Sequence, residues 1–191
     1  MAEMEITVQV FNSFDEIKTI LENQGFKMVE TFQLNDWYFS KIDNIDDINF
    51  IDIINNSFLV RQIITDVEKV QICYKKKQLD ELGNVIAEEK ITANTDSLQH
   101  TIDIFVASGL NNYCVVKNSS YVYKKDEICF AIQLIENLGI FLEYEEDESM
   151  TDMTEKEKFS HIRAIIDSLK LKTGNDYFCK KMFMLLNKQK G

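Results

Sequence analysis

The sequence predicts an α+β domain: an antiparallel sheet of roughly eight strands with helices between and after them. Three observations predict it. Many short segments alternate apolar and polar residues at the period of a half-buried strand. Most connections between them are short, leaving no room for right-handed crossovers except across the intervening helices. The remaining segments, including the whole tail, carry apolar residues at helical spacing.

Residues 3–10 place Glu3, Glu5, Thr7 and Gln9 on one face and Met4, Ile6, Val8 and Val10 on the other, which is a strand. "NSFDEIKTILENQGF" follows as a helix. Ser13 is its N-cap, Glu16 completes a capping box, and Phe14, Ile17, Ile20 and Leu21 form one apolar stripe. Gly25 is its stop. "FKMVETF" and "DWYFSKI" read as a pair of strands, and "DINFIDIINN" leans to a short helix. "SFLVRQII" and "VEKVQICYKKK" are rich in strand formers; "DELGN" marks a turn, and "VIAEEKITAN" returns as a strand. "TDSLQHTIDIFVASGL" is a helix with Leu98, Ile102, Phe105 and Val106 on one face. "NYCVVKNSSYVYKK", "EICFAIQLIENLG" and "IFLEYEEDE" are three more strands. From about Thr154 two amphipathic helices follow, split near "KTGND". Their Phe178, Met182, Phe183 and Leu186 read as packing back onto the sheet rather than as a partner surface.

The 191 residues suit a single domain, with the strands in about 1–148 and the tail helices in about 152–188. An apolar fraction of 45% is ordinary for a chain that buries a core. No apolar run approaches the ~18 residues that cross a bilayer, and no basic segment leads into an apolar run at the start. The expectation is a cytoplasmic protein with no membrane partner. Cys73, Cys114, Cys129 and Cys179 lie far apart with no CxxC spacing, which argues against a zinc knuckle and for reduced thiols. A net charge of −11 argues against nucleic acid as a partner, so any phosphate site must be a local basic pocket. His100 and His161 sit on amphipathic segments without a serine or cysteine partner, and no glycine-rich phosphate loop occurs.

The unusual feature is charge on the strand faces. Glu3 and Glu5 share one face, and Glu143 and Glu145 share another. Arg61, Lys75 and Lys117 sit on other strands. Two readings are open. The faces are the solvent side of an open sheet, or they line a closed barrel in which four carboxylates hold Mg²⁺ or Mn²⁺ and the basic residues meet phosphate oxygens.

Several segments resemble the CYTH family, which groups class IV adenylyl cyclases and thiamine triphosphatases. "EMEIT" is similar to the family's Glu-x-Glu-x-Lys at Glu3 and Glu5, with Thr7 at the lysine. "DWYFS" matches Asp-x-Tyr-Phe at Asp36, Tyr38 and Phe39. "FLVRQ" resembles Leu-Arg-Ile-Arg, with Arg61 at the second arginine and Leu59 at the first. "ICYKKK" matches Thr-Tyr-Lys at Tyr74 and Lys75; "VIAEEKI" matches Arg-Glu-Glu at Glu88 and Glu89, with Ala87 at the arginine. "VVKNSSYVY" looks like Lys-x-Arg, with Lys117 retained and Ser119 at the arginine. "AIQLIENLGIFLEYE" matches at Glu136, Leu138, Gly139, Phe141, Glu143 and Glu145, with Gln133 at a leading aspartate. "CKKMFMLL" resembles the Arg-Lys-Ser-Tyr…Leu-Leu stretch of class IV cyclase-like members, with Lys180 and Lys181 matching.

The resemblance implies an eight-stranded antiparallel barrel of the triphosphate tunnel type. It implies a triphosphate-containing small molecule as substrate, with a homodimer open as a further association. It also implies Mg²⁺ or Mn²⁺ held by Glu3, Glu5, Glu143 and Glu145, with Glu3 and Glu5 catalytic and Arg61, Lys75 and Lys117 binding phosphate. The activity implied is metal-assisted phosphoryl transfer, as a cyclase or a phosphohydrolase. Against this stand five altered charged positions: Thr7, Leu59, Ala87, Ser119 and Gln133. Four lose a base, and each charge-assisted bond to phosphate contributes roughly 1.5–3 kcal/mol. A barrel that only binds an anionic ligand is the alternative.

Overall fold

The computed structural model describes residues 4–41, 50–79 and 85–189. The strands are β1 (Glu5–Val10), β2 (Lys27–Ser40), β3 (Ser57–Ile64), β4 (Glu68–Leu79), β5 (Val85–Thr95), β6 (Asn111–Lys125), β7 (Ile128–Ile135) and β8 (Gly139–Glu145). The helices are α1 (Phe14–Asn23), α2 (Phe50–Asn55), α3 (Leu98–Ala107), α4 (Glu155–Ser168) and α5 (Lys181–Gln189). This is the α+β architecture with eight antiparallel strands that the alternation predicts, and none of the described helices is long and apolar enough to cross a membrane. Part of "DINFIDIINN", residues 47–49, lies outside the described residues, as does Glu3.

One element differs from the expectation. "FKMVETF" and "DWYFSKI" are not two strands but the single 14-residue β2. The intervening "QLN" holds no glycine or proline to break the chain, and Asn35 continues the pairing opposite Gln62.

The chain clusters into two compact units. The central unit comprises Gln33–Lys117 with the last helical residues from Leu185; the terminal unit comprises Glu3–Phe32 and Asn118–Met184. Strands β2 and β6 contribute to both. The hydrogen-bonded strand order is β6-β2-β3-β4-β5 in the central unit and β1-β8-β7-β6 in the terminal one.

In the central unit one pleat face carries Phe39, Val60 and Val70, which bury with Leu110 against Trp37 and the α3 residues Leu98, Ile102 and Phe105. Val106, expected on the same stripe, is exposed, as is Ile104. In the terminal unit Ile6, Val8 and Val10 of β1 pack with Ile132, Leu142 and Tyr144 and with Ile17, Leu21, Ile162 and Ile166 from α1 and α4. Truncating one of these fully buried side chains to alanine costs about 2–5 kcal/mol.

Both long helices of the terminal unit start on capping boxes. Ser13 and Glu16 exchange backbone-to-side-chain bonds of 3.3 and 2.9 Å, and Thr154 and Glu157 do the same for α4. Each cap is worth about 1 kcal/mol. The α1 helix ends before Gly25, whose φ of +86° is open to glycine without strain.

The tail does more than pack. Between α4 and α5 the chain runs along the edge of β1 that β8 leaves open. Phe11 donates to the Lys172 carbonyl at 2.8 Å, Gly174 to Gln9 at 2.8 Å, and Thr7 to Tyr177 at 3.0 Å. Cys179 donates back to Thr7 at 2.9 Å. This strap satisfies an edge that would otherwise present unpaired backbone groups. It also sets where α5 begins.

The four cysteines are free thiols, as expected. Cys73 and Cys114 are buried, and burial pushes the Cys114 thiol up to about 11, so it stays protonated near neutrality.

Candidate functional site

Register decides which side chains share a face. In the terminal unit Thr7 pairs with Glu143 and Glu5 with Glu145, while Glu143 also pairs with Ala131 and Phe141 with Gln133. Gln133 pairs in turn with Ser120. The face opposite the apolar core therefore carries Glu5, Thr7, Gln133, Glu143, Glu145, Asn118 and Ser120. Four of these polar side chains, Thr7, Asn118, Ser120 and Gln133, are buried. So Glu5, Glu143 and Glu145, the described members of the expected carboxylate set, lie on one face, which only the pairing of β1 with β8 discloses.

They are not arranged as a shared cage. Lys181, the first residue of α5, puts its ammonium on Glu143 Oε2 and on Gln133 Oε1, the latter at 2.7 Å. Gln133 Nε2 donates to Glu143 Oε1 at 2.8 Å. The three side chains close a ring in which both carboxylate oxygens accept. Lys181 and Glu143 are only 20% and 17% exposed. The net charge of the ring is zero. An aspartate at position 133 could not make the bond that the Gln133 amide makes, because an ionised carboxylate only accepts. Glu5 accepts from Thr7 Oγ1 at 3.3 Å and is exposed.

The resemblance implies Mg²⁺ or Mn²⁺ here. Hard dications need several carboxylate or carbonyl oxygens turned toward one point. Among the described residues no three or more His, Cys, Asp or Glu are grouped so as to hold a metal ion. Both oxygens of Glu143 already face donors. The described residues, paired as they are, do not fit a dication at Glu143.

The central unit has a different polar face. Asp36 pairs across to Arg61, Arg61 to Gln71, and Gln71 to Asn94. Arg61 donates Nε and Nη2 to the two oxygens of Asp36 at 2.8 and 2.7 Å, a bidentate fork with side chains 20% and 8% exposed. Burial opposes the guanidinium charge, but the Asp36 bonds and charge outweigh it and hold the arginine more firmly protonated. Two of its five N–H donors are engaged in that fork. Beside it Tyr38 is held far above the ordinary phenol range, first by burial and then by the Asp36 charge. Tyr38 stacks obliquely on Tyr113, whose hydroxyl lies 2.7 Å from Ser57 Oγ; burial pushes the Tyr113 phenol up to about 12.

Lys75 belongs to the same face as Arg61, because it lies four residues beyond Gln71 on β4. Directly opposite Lys75 on β5 is Lys90. Lys90 stands out in the sequence only as one of several neighbouring lysines; the register singles it out.

The other expected residues fall as follows. Lys117 is exposed and alternates with Asn118, so Asn118 and Ser120, not Lys117 and Ser119, occupy the face of β6 that Gln133 shares. The expected Lys-x-Arg positions are thus one residue out of register with the buried polar face. Leu59 is buried on the Arg61 face. The side chains of Ala87 and Glu88 lie outside the described residues. His100 and His161 are both exposed, in keeping with surface histidines. Lys181 is not among the site residues that the sequence implies; its signal there is the match of "CKKMFMLL" to the family's Arg-Lys stretch, which gave it no role.

No protein-family model matches the chain. A protein of Methanocaldococcus jannaschii named "putative adenylate cyclase" is 26% identical over 187 residues, covering 97% of this chain and 98% of that one. A solved structure from Pyrococcus horikoshii matches with a TM-score of 0.66 at 22% identity over 97% of this chain and 99% of its own. A Hippeastrum protein, described as a candidate adenylyl cyclase with a dominant triphosphatase activity, matches with a TM-score of 0.63 at 13% identity, covering 98% and 96%. The two structures share the fold, and the archaeal protein shares sequence along nearly its whole length. The motifs from Glu3 to Leu186 resemble those of the CYTH family, and the chain is similar to these proteins over nearly its whole length.

Proposed function

We propose that this chain binds the triphosphate group of a nucleotide, or of another organic or inorganic triphosphate, and processes it by phosphoryl transfer as a cyclase or a phosphohydrolase. The observation that carries the reading is the basic face of the central unit. Lys75 and Lys90 are directly opposed across β4 and β5, on the face that holds Arg61. In a chain of net charge −11 three bases on one sheet face are out of character, and their donors suit the oxygens of a phosphate chain.

Each residue then has a role. Asp36 fixes the guanidinium plane of Arg61, whose remaining donors suit phosphate oxygens. Lys75 and Lys90 supply point charges farther along the face. Glu143 takes no part as a metal ligand in this reading.

The test is turnover of tripolyphosphate, thiamine triphosphate and ATP by the full chain, with Mg²⁺, with Mn²⁺ and with neither. Release of phosphate or formation of a cyclic product above an Arg61→Ala control supports the proposal. The second reading, a non-catalytic anion-binding protein, is favoured by the altered charges at Thr7, Leu59 and Gln133 and by the closed ring at Glu143. Calorimetric binding of tripolyphosphate without turnover selects it. Neither turnover nor heat sinks both.

A further inference from the structure

Lys181 is held where the family resemblance would have an ion. Its ammonium contacts Glu143 and Gln133, two positions that the resemblance assigns to acids. The contact is built by the backbone, not by chance encounter of long side chains. The strap ends with Cys179 hydrogen-bonded to Thr7, and Thr7 is the cross-strand partner of Glu143. Two residues later α5 starts with Lys181. The donor set is also matched atom by atom. Gln133 turns its oxygen to the ammonium and its amide to the free oxygen of Glu143. Replacing an acid by glutamine removes one negative charge, so a single positive charge neutralises the ring, where a dication would overshoot.

We propose that Lys181 is a built-in cation. It occupies the site beside Glu143 in the role otherwise given to Mg²⁺ or Mn²⁺, and the chain therefore binds its triphosphate without a divalent ion. The second half rests on the triphosphate reading above; the first does not.

Two measurements on the full chain separate the halves. In the first, Mn²⁺ alone is titrated and its free aqueous electron paramagnetic resonance signal is followed. Wild-type protein is expected to leave that signal intact, as is Lys181→Arg, which keeps the charge. The double variant Lys181→Met with Gln133→Asp frees Glu143, restores a second carboxylate, and is expected to take up Mn²⁺ at least about tenfold more tightly than wild type. Circular dichroism checks that it folds; if it does not, Gln133→Asp alone, which takes away the amide donor but keeps Lys181, serves as the second probe and is expected to gain less. Uptake of Mn²⁺ by wild type that Glu143→Gln abolishes overturns the proposal. In the second measurement, tripolyphosphate is titrated calorimetrically in EDTA and in excess Mg²⁺. Binding in EDTA supports the proposal, and binding only with Mg²⁺ overturns its second half. Binding in neither overturns the triphosphate reading, while the Mn²⁺ titration still decides what occupies the site beside Glu143.

Discussion

The two units hold their principal cations differently. In the central unit Arg61 and its partner Asp36 are direct neighbours on adjacent strands, and the pair forms wherever β2 and β3 are in register. In the terminal unit Lys181 reaches Glu143 from a helix 38 residues later in the chain. The first pair leaves part of a five-donor fork to point elsewhere; the second closes on itself through Gln133. A cation fixed by its own sheet can be presented to a ligand. A cation brought in by the tail, and saturated on arrival, completes a face and presents little. The same chemistry, a half-buried base on a carboxylate, therefore has opposite consequences in the two units.

The comparison breaks first at Asp36. Asp36→Ala leaves Arg61 charged and shielded from water without a partner, a change that costs about 3–5 kcal/mol for a buried pair. Urea unfolding should show it as a lower midpoint at an unchanged slope. The double variant Asp36→Leu with Arg61→Met should recover most of that loss, because it removes both charges together. If Asp36→Ala is as stable as wild type, the fork is a surface pair and Arg61 is not held for a ligand.

Lys181→Met should cost less, roughly 2–3 kcal/mol, since both partners keep some contact with water and Gln133 continues to donate to Glu143. The contrast with Asp36 sharpens when binding is read beside stability. Arg61→Lys keeps the charge but loses the fork, and should weaken tripolyphosphate binding by roughly 10- to 150-fold, the equivalent of one charge-assisted bond of 1.5–3 kcal/mol. Isothermal calorimetry checks it. Equal losses from Arg61→Lys and Lys181→Arg would erase the distinction between a presented and a saturated cation.

What the sequence discloses follows the range of the forces involved. The capping boxes at Ser13 and Thr154 involve residues three apart, so their letters suffice. The alternation of β1 is equally local and holds from Glu5 to Val10. The continuity of β2 through "QLN" depends on β3 lying beside it, which no local pattern states. Lys117 shows the cost of a single step: a shift of one residue along β6 transfers a side chain to the other face. Lys181 was the least legible. Its partner is chosen by main-chain bonds from Lys172 to Cys179, and backbone groups have no letter in the sequence. Gln133 reads as a lost acid in the sequence and as a needed donor in the structure.

The smallest effect concerns a second lysine from the tail, and it isolates what a purely structural pair does. Lys158 of α4 donates to Glu146 Oε2 at 2.9 Å, and the Met4 amide donates to the same oxygen at 2.8 Å. Burial works against the Glu146 charge, but these two bonds and the ammonium outweigh it and hold the carboxyl below its ordinary 4.5. The bond to Glu146 holds Lys158 above its ordinary 10.5. A carboxylate with a lowered folded value contributes stability fully above 4.5 and loses it as pH falls through that lower value; a lysine with a raised value contributes below 10.5 and loses it as pH rises beyond. The pair thus contributes fully between those limits. Wild-type Tm should fall more steeply than that of Glu146→Gln as the medium is acidified below pH 4.5, with the two curves converging once Glu146 is protonated. Tripolyphosphate binding at neutral pH should be the same in both proteins. A loss of binding in Glu146→Gln would mean that the residue just past β8 belongs to the ligand, and that tail lysines do more in the terminal unit than neutralise it.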